Sequence, residues 1–260
     1  MEYLGYASAI AIGLILGMLG GGGSILSIPV FVYLFGLDPI RATAYSLFVV
    51  GLTSLVGVIP KYRERLVNLK IGLVFGIPSL LAIFFTRKWL VPLIPDIVLT
   101  LGDFVLTRRL LMMGLFAILM LLASIPMIRG GEVSAERQQL HMRPLGFLGL
   151  LVGFITGLVG AGGGFLIIPS LVILAGLPFK VAAGTSLLII ATNSLIGFLG
   201  DVLNFPMDWK FLTVVSALAL LGIVAGNKMS RLFRNETLRK AFGWFVIITG
   251  VYILWRELNF

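Results

Sequence analysis

The chain carries one pattern twice, and that duplication narrows its possible folds more than any other feature. Shifted by 140 positions, Gly17-Met-Leu-Gly-Gly-Gly-Gly-Ser-Ile-Leu-Ser-Ile-Pro29 falls on Gly157-Leu-Val-Gly-Ala-Gly-Gly-Gly-Phe-Leu-Ile-Ile-Pro169 without a gap. Over positions 13–57, 19 of 45 residues are identical to their counterparts, far more than a shared apolar composition produces. Lys70 and Lys210 still match at that offset; beyond them the halves drift, and the first carries extra residues around 89–106. A unit repeated at fixed spacing sets the architecture before any single residue is weighed.

Composition says what solvent the repeats meet. Of 260 residues, 59% are hydrophobic and 12% charged, with a mean hydropathy of +1.09. Soluble chains run at roughly 45–50% apolar and about 25% charged. A soluble fold needs polar side chains for its surface, and this chain lacks them, so it reads as an all-α integral membrane protein. The formal charge of +9 would raise nucleic acid as a partner for a soluble protein. Without basic-aromatic stripes, it fits instead basic loops facing anionic lipid, and no nucleic acid is expected. With no cysteine and a single histidine, His141, the sequence offers no disulfide, thiolate or metal site and no cofactor motif. Met1-Glu2-Tyr3 lacks a basic start, so the first apolar stretch is expected to remain in the mature chain.

Each half reads alike. Two short apolar stretches flank a glycine tract, at 5–19 and 24–37, then at 144–159 and 165–177. As helix each is about 20–24 Å long, too short to cross a hydrocarbon core of about 30 Å upright. Longer stretches follow at 42–60, 68–86 and 107–128, then at 181–200, 210–230 and 240–258. The expected organisation is repeat 1 over 1–128 with hairpin 5–37, a polar linker 129–143, and repeat 2 over 144–260 with hairpin 144–177. If each glycine-split pair enters and leaves on one side, the loops carry 13 Lys and Arg on one face and 7 on the other; a full crossing gives 11 to 9. Charge bias therefore favours the hairpin, three crossings per half and two inverted repeats, with both termini outside. Trp89–Thr107, broken by Pro92, Pro95, Asp96 and Asp103, is expected to be interfacial or partly inserted on the outer side.

Gly20, Gly21, Gly22 and Gly23 in one half, and Gly160, Gly162, Gly163 and Gly164 in the other, each cost a helix about 1 kcal/mol relative to alanine. Broken backbone persists in a membrane where protein or a water-lined cavity satisfies it. Helices starting near Ser24 and Gly164 would present N–H groups and a partial positive charge, and two inverted hairpins would aim both at one midplane anion seat. The alternative is close packing, which Gly13-x-x-x-Gly17 and Gly153-x-x-x-Gly157 suit. Small polar residues gather on the following helix: Thr43, Tyr45, Ser46, Thr53 and Ser54, then Thr185, Ser186, Thr192, Asn193 and Ser194. Their hydroxyls and amides suit sulfonate-type oxygens; the competing role is hydrogen bonding between helices.

Charges are missing from the hairpins and polar helices at mid-membrane depth, so nothing argues for a cation as cargo. Asp38, Arg41, Lys180 and Asp201 lie near expected helix ends and read as interfacial, and Tyr62, Trp89, Trp209, Trp244 and Trp255 as an aromatic belt. Neither tract has a Walker lysine, a Gly-x-Ser-x-Gly or a dinucleotide Gly-x-Gly-x-x-Gly, and there is no His-Glu-x-x-His, so no enzyme is expected.

The paired glycine tracts ending in Pro29 and Pro169, with Ala183-Gly184-Thr185-Ser186-Leu187, resemble the sulfite exporter TauE/SafE family, also called the toluene sulfonate uptake permeases. The resemblance covers the whole chain through the duplication. It implies a plasma-membrane carrier for small sulfur-containing anions such as sulfite, sulfoacetate and other sulfonates. In the first half the family element stands as Ala44-Tyr45-Ser46-Leu47, with a bulkier tyrosine in place of threonine. The expected function is export of such an anion by alternating access, with a passive anion channel as the alternative. The expected partners are the anion and lipid, with a homodimer left open.

Overall fold

The computed structural model describes residues 2–101, 104–129, 142–159, 163–204 and 206–258. Residues 130–141 of the expected linker, with His141, and Gly160 and Gly162 lie outside the described residues. The protein is helical: α1 (Glu2–Leu19), α2 (Ser24–Pro29), α3 (Pro39–Arg63), α4 (Leu69–Phe85), α5 (Arg108–Arg129), α6 (Met142–Val159), α7 (Gly164–Ile173), α8 (Phe179–Val202), α9 (Trp209–Ser230) and α10 (Asn235–Leu258). A 3-10 turn, Gly20–Gly23, joins α1 to α2, and a π turn, Val30–Leu34, extends α2. Among the described residues, seven helical stretches are long and apolar enough to cross a bilayer. The chain is a multi-pass membrane protein.

One of those stretches, Leu4–Leu34, is not a straight rod. A continuous helix of that length would separate its ends by about 45 Å. Here the Phe35 ring packs against Gly5 and, at 5.5 Å between ring centres, against Tyr6, while Gly23 lies on the backbone of Ile12 and Leu16. The chain doubles back at the glycines, where Gly20 takes φ +69°, a conformation that side chains disfavour. In the second half Gly163, at φ +76°, packs on Thr156 and starts α7.

Glycines also set helix directions. Gly13 rests on Ala219 and Ile223, and Gly17 on Gly226 and Asn227, so α1 runs parallel to α9. Gly149 rests on Phe75, Gly153 on Ser79, and Gly157 on Ile83 and Thr86, so α6 runs parallel to α4. Small residues let these backbones approach where lipid supplies no hydrophobic drive. Helices α3 and α8 run antiparallel, with Phe48 on Phe198 (4.9 Å between ring centres), Gly51 on Leu195 and Gly57 near Leu187. Helices α5 and α10 are also antiparallel: Gly250 lies on Ala117 and Leu121, and Gly243 on Met127 and Ile128.

Apolar side chains face outward, as lipid requires. Leu73, Ile77, Leu81 and Phe85, four residues apart on α4, form one exposed stripe. Helices start and stop by ordinary capping: Asp38 accepts from the Ile40 N–H, Asn68 from Ile71 and Asp208 from Phe211. The helices α3 and α8 outrun the expected 42–60 and 181–200 at both ends.

Trp89–Thr107 makes no helix crossing. After a π turn (Thr86–Leu90) and a 3-10 turn (Val91–Leu93), strands β1 (Ile97–Leu101) and β2 (Phe104–Thr107) pair antiparallel, with Thr100 opposite Val105. This is the one strand pair among the described residues. Its β-branched Ile97, Val98 and Thr100 favour extended backbone, and Leu93, Ile97 and Leu99 are exposed.

Candidate functional site

The two glycine tracts touch. A Cβ placed on Gly21 would fall on the Gly164 Cα, and one on Gly164 would fall on Gly21. Around this contact runs a buried chain of hydrogen bonds linking the two halves. The Gly21 N–H donates to Ser186 Oγ (3.3 Å), and Ser186 Oγ donates to the Ala183 carbonyl. Ser24 Oγ donates to the Gly21 carbonyl (2.6 Å), Ser27 Oγ to the Ser24 carbonyl (2.6 Å), and Ser27 and Ser46 share a hydrogen bond at 2.5 Å. Ser24, Ser27, Ser46 and Ser186 are wholly inaccessible. Hydroxyls can turn to a new acceptor without moving their oxygens.

The structure thus brings together Gly20, Gly21, Gly22, Gly23, Ser24, Ser46, Gly164 and Ser186, all buried. Ser27, which sequence reasoning passed over, joins them; its three-residue spacing from Ser24 was the available signal. The Ser24 N–H is engaged by the carbonyls of Gly21 and Gly22, so α2 starts from an occupied 3-10 turn.

Three expected site residues stand elsewhere. The Tyr45 hydroxyl accepts from the Asp208 N–H (2.9 Å), and its ring packs on Phe31 and Phe211. Thr185 Oγ1 accepts from the Asn68 N–H (2.9 Å). Tyr45 and Thr185 are repeat equivalents, as are Asn68 and Asp208 at the N-caps of α4 and α9. Each hydroxyl pins the start of a helix in the opposite half, which explains why a tyrosine fits where the family motif has threonine. Asn193 Nδ2 donates to Ser79 Oγ (2.6 Å), tying α8 to α4.

Charges reach deeper than the sequence suggested. Arg87, one residue past the expected stretch 68–86, is fully buried, and Asp201, expected at the interface, is 1% exposed. Arg87 Nε donates to Asp201 Oδ2 (2.9 Å) and NH2 makes a short bond to the same oxygen. Both guanidinium termini reach Thr43 Oγ1 (3.0 and 3.1 Å), and NH1 reaches the Gly157 carbonyl at 3.4 Å. Helices α3, α6 and α8 are thereby locked to the end of α4. Near the other end of α3, Lys61 is 4% exposed and donates to Ser230 Oγ (2.5 Å). Ser230 Oγ donates to the Asn227 carbonyl, and Asn227 Nδ2 to the Gly57 carbonyl.

Closely packed apolar spans, glycine tracts in contact in the interior and a buried polar seam between the halves describe a multi-pass membrane protein; its class comes from its relatives, which are membrane transporters. The sequence pattern of the family described as Sulfite exporter TauE/SafE matches residues 6–253, and the chain belongs to that family. A relative from Xylella fastidiosa (strain Temecula1), named a probable membrane transporter protein, is 28% identical over 257 residues, 95% of this chain and 92% of its own length. The probable membrane transporter protein YdhB of Bacillus subtilis is 29% identical over 246 residues, 94% of this chain and 96% of its own. The probable membrane transporter protein MJ0441 of Methanocaldococcus jannaschii is 28% identical and covers 73% of this chain and 70% of its own length. No solved structure matches the chain significantly.

Proposed function

We propose that the protein carries small sulfur-containing anions, such as sulfite, sulfoacetate or another organosulfonate, out across the plasma membrane by alternating access. The two halves act as inverted repeats. Equivalent helices that pack on each other, α3 with α8 and α5 with α10, run antiparallel, as an axis in the membrane plane requires, whereas an axis along the normal would make them parallel. The observation that carries the reading is the contact of Gly21 with Gly164 inside the hydrogen-bonded chain Ser46–Ser27–Ser24–Gly21–Ser186. Its hydroxyls and N–H groups suit an oxyanion, and their complete burial means that helices must part to admit one. That closure favours a carrier over the alternative, a passive channel. With the buried Lys61 and Arg87 set aside, 12 and 6 basic residues remain on the two faces, a bias that supports both termini outside.

Purified protein in liposomes tests this with sulfite, sulfoacetate, sulfate and chloride. Saturable flux of a sulfur oxyanion with counterflow supports the carrier; non-saturating flux without counterflow supports the channel. Absence of sulfur-oxyanion flux refutes the substrate class.

A further inference from the structure

The buried charges of the two halves occupy equivalent positions with opposite outcomes. Position 61 in the first half corresponds to 201 in the second, and 87 corresponds to 227. At one end of the bundle these sites hold Asp201 and Arg87, which neutralise each other. At the other end they hold Lys61 and Asn227. Lys61 forms no ion pair with any carboxylate among the described residues; the neighbouring Glu64 pairs with Arg231 instead. Its ammonium donates to one hydroxyl, Ser230 Oγ, and the buried Asn227 Oδ1 has no hydrogen-bond partner among the described residues. Desolvating an ammonium costs several kcal/mol without a closely paired countercharge, and the nearby carboxylate, Glu64, is held by Arg231, so an incoming anion would find an unpaired donor here.

Position supports the same conclusion. The Lys61 Cβ lies 3.4 Å from a side-chain position at Gly184, one residue from Ala183, against which Gly20 packs. Two residues on, Ser186 meets the Gly21 N–H. Outward along α8, Lys180 lines a cleft of about 540 Å3 with Arg231, Arg234, Asn235 and Glu236. A cationic cleft concentrates anions at its mouth. Lys180 and Ser186 of α8, with Lys61 of α3 packed beside Gly184 between them, thus lead from the surface toward the glycine tracts.

We propose that Lys61, with Ser230 and Asn227, is an oxyanion-binding site between the cationic cleft and the glycine tracts, and that the anion is the lysine's countercharge. The site rests on the anion-carrier reading and names its waiting position on the cation-rich face. The open Asn227 acceptor suits the hydroxyl of a protonated oxyanion or a water carried in with it.

The test uses Lys61→Met and Lys61→Arg in liposomes, with Lys210→Met, an exposed cation on the opposite face, as control. Lys61→Met should raise the KM for sulfite at least tenfold or abolish flux while unfolding no earlier than the parent, because a buried unpaired charge is gone; Lys61→Arg should keep most of the flux. Selenate, a sulfate analogue, should give an anomalous peak within hydrogen-bond distance of Lys61 Nζ in the parent and none there in Lys61→Met. A parental KM in Lys61→Met, or selenate seated elsewhere, overturns the site while leaving the carrier reading intact. If the parent moves no anion, the carrier reading falls and the selenate peak alone decides: its presence at Lys61 sustains the site and its absence overturns it.

Discussion

Asp201→Ala should be among the most damaging single substitutions in this protein. The carboxylate takes two hydrogen bonds from the fully buried Arg87, whose remaining partners are neutral: the Thr43 hydroxyl and, at 3.4 Å, the Gly157 carbonyl. Without it a guanidinium is left in the protein interior with no countercharge. Breaking a buried pair in this way costs about 3–5 kcal/mol, a large part of the roughly 5–15 kcal/mol that holds a domain folded. Replacing both partners by apolar residues removes the stranded charge, so Arg87→Met with Asp201→Leu should fall within about 1 kcal/mol of the parent. Unfolding in mixed micelles, followed by the fluorescence of the four tryptophans, gives both values and their coupling. A cost below about 1 kcal/mol for Asp201→Ala, the range of an exposed pair, would refute the claim that this charge is desolvated.

Other expectations follow from particular contacts. Gly21→Ala and Gly164→Ala each place a methyl group in the opposite backbone, so each should abolish liposome flux; normal flux in either would separate the tracts from transport. Tyr45→Phe and Thr185→Val each leave a helix-capping N–H without its hydroxyl, and should cost about 0.5–1.5 kcal/mol in micelle unfolding with no change in KM. A raised KM would return these residues to the anion site. Because the chain has no cysteine, single introduced cysteines report sidedness directly. Cysteines at Asp96 and Asn204 should react from one side and those at Arg63 and Arg234 from the other; a mixed pattern contradicts the proposed topology.

Much of the architecture is written in the repeat. The three longer stretches of each half coincide with helices α3, α4 and α5, then α8, α9 and α10, because apolar length leaves a direct trace in sequence. Ser46, Ser186 and the tracts could be singled out because polar side chains are scarce in apolar surroundings. The buried charges could not. Arg87 and Asp201 are 114 residues apart, and span limits drawn where charges begin leave them outside. The true helices run on, α3 to Arg63 and α8 to Val202, and carry Lys61 and Asp201 into the protein. One trace was present: positions 61 and 201 are charged at the same repeat offset. The hydroxyls of Tyr45 and Thr185 misled for a related reason, since sequence shows that a polar group sits on a helix but not which neighbour it faces. Strands β1 and β2 fall in the stretch where the repeat fails, so no second copy helped to interpret it.

Access to the centre is the most direct test of the whole account. Ser186→Cys, in liposomes of defined orientation, can be challenged by a membrane-impermeant, negatively charged thiol reagent added to one side at a time. The account predicts modification from each side, slowed from both by saturating amounts of the transported anion. Modification from one side alone, at a rate the anion leaves unchanged, would contradict a central seat open to the two faces in turn.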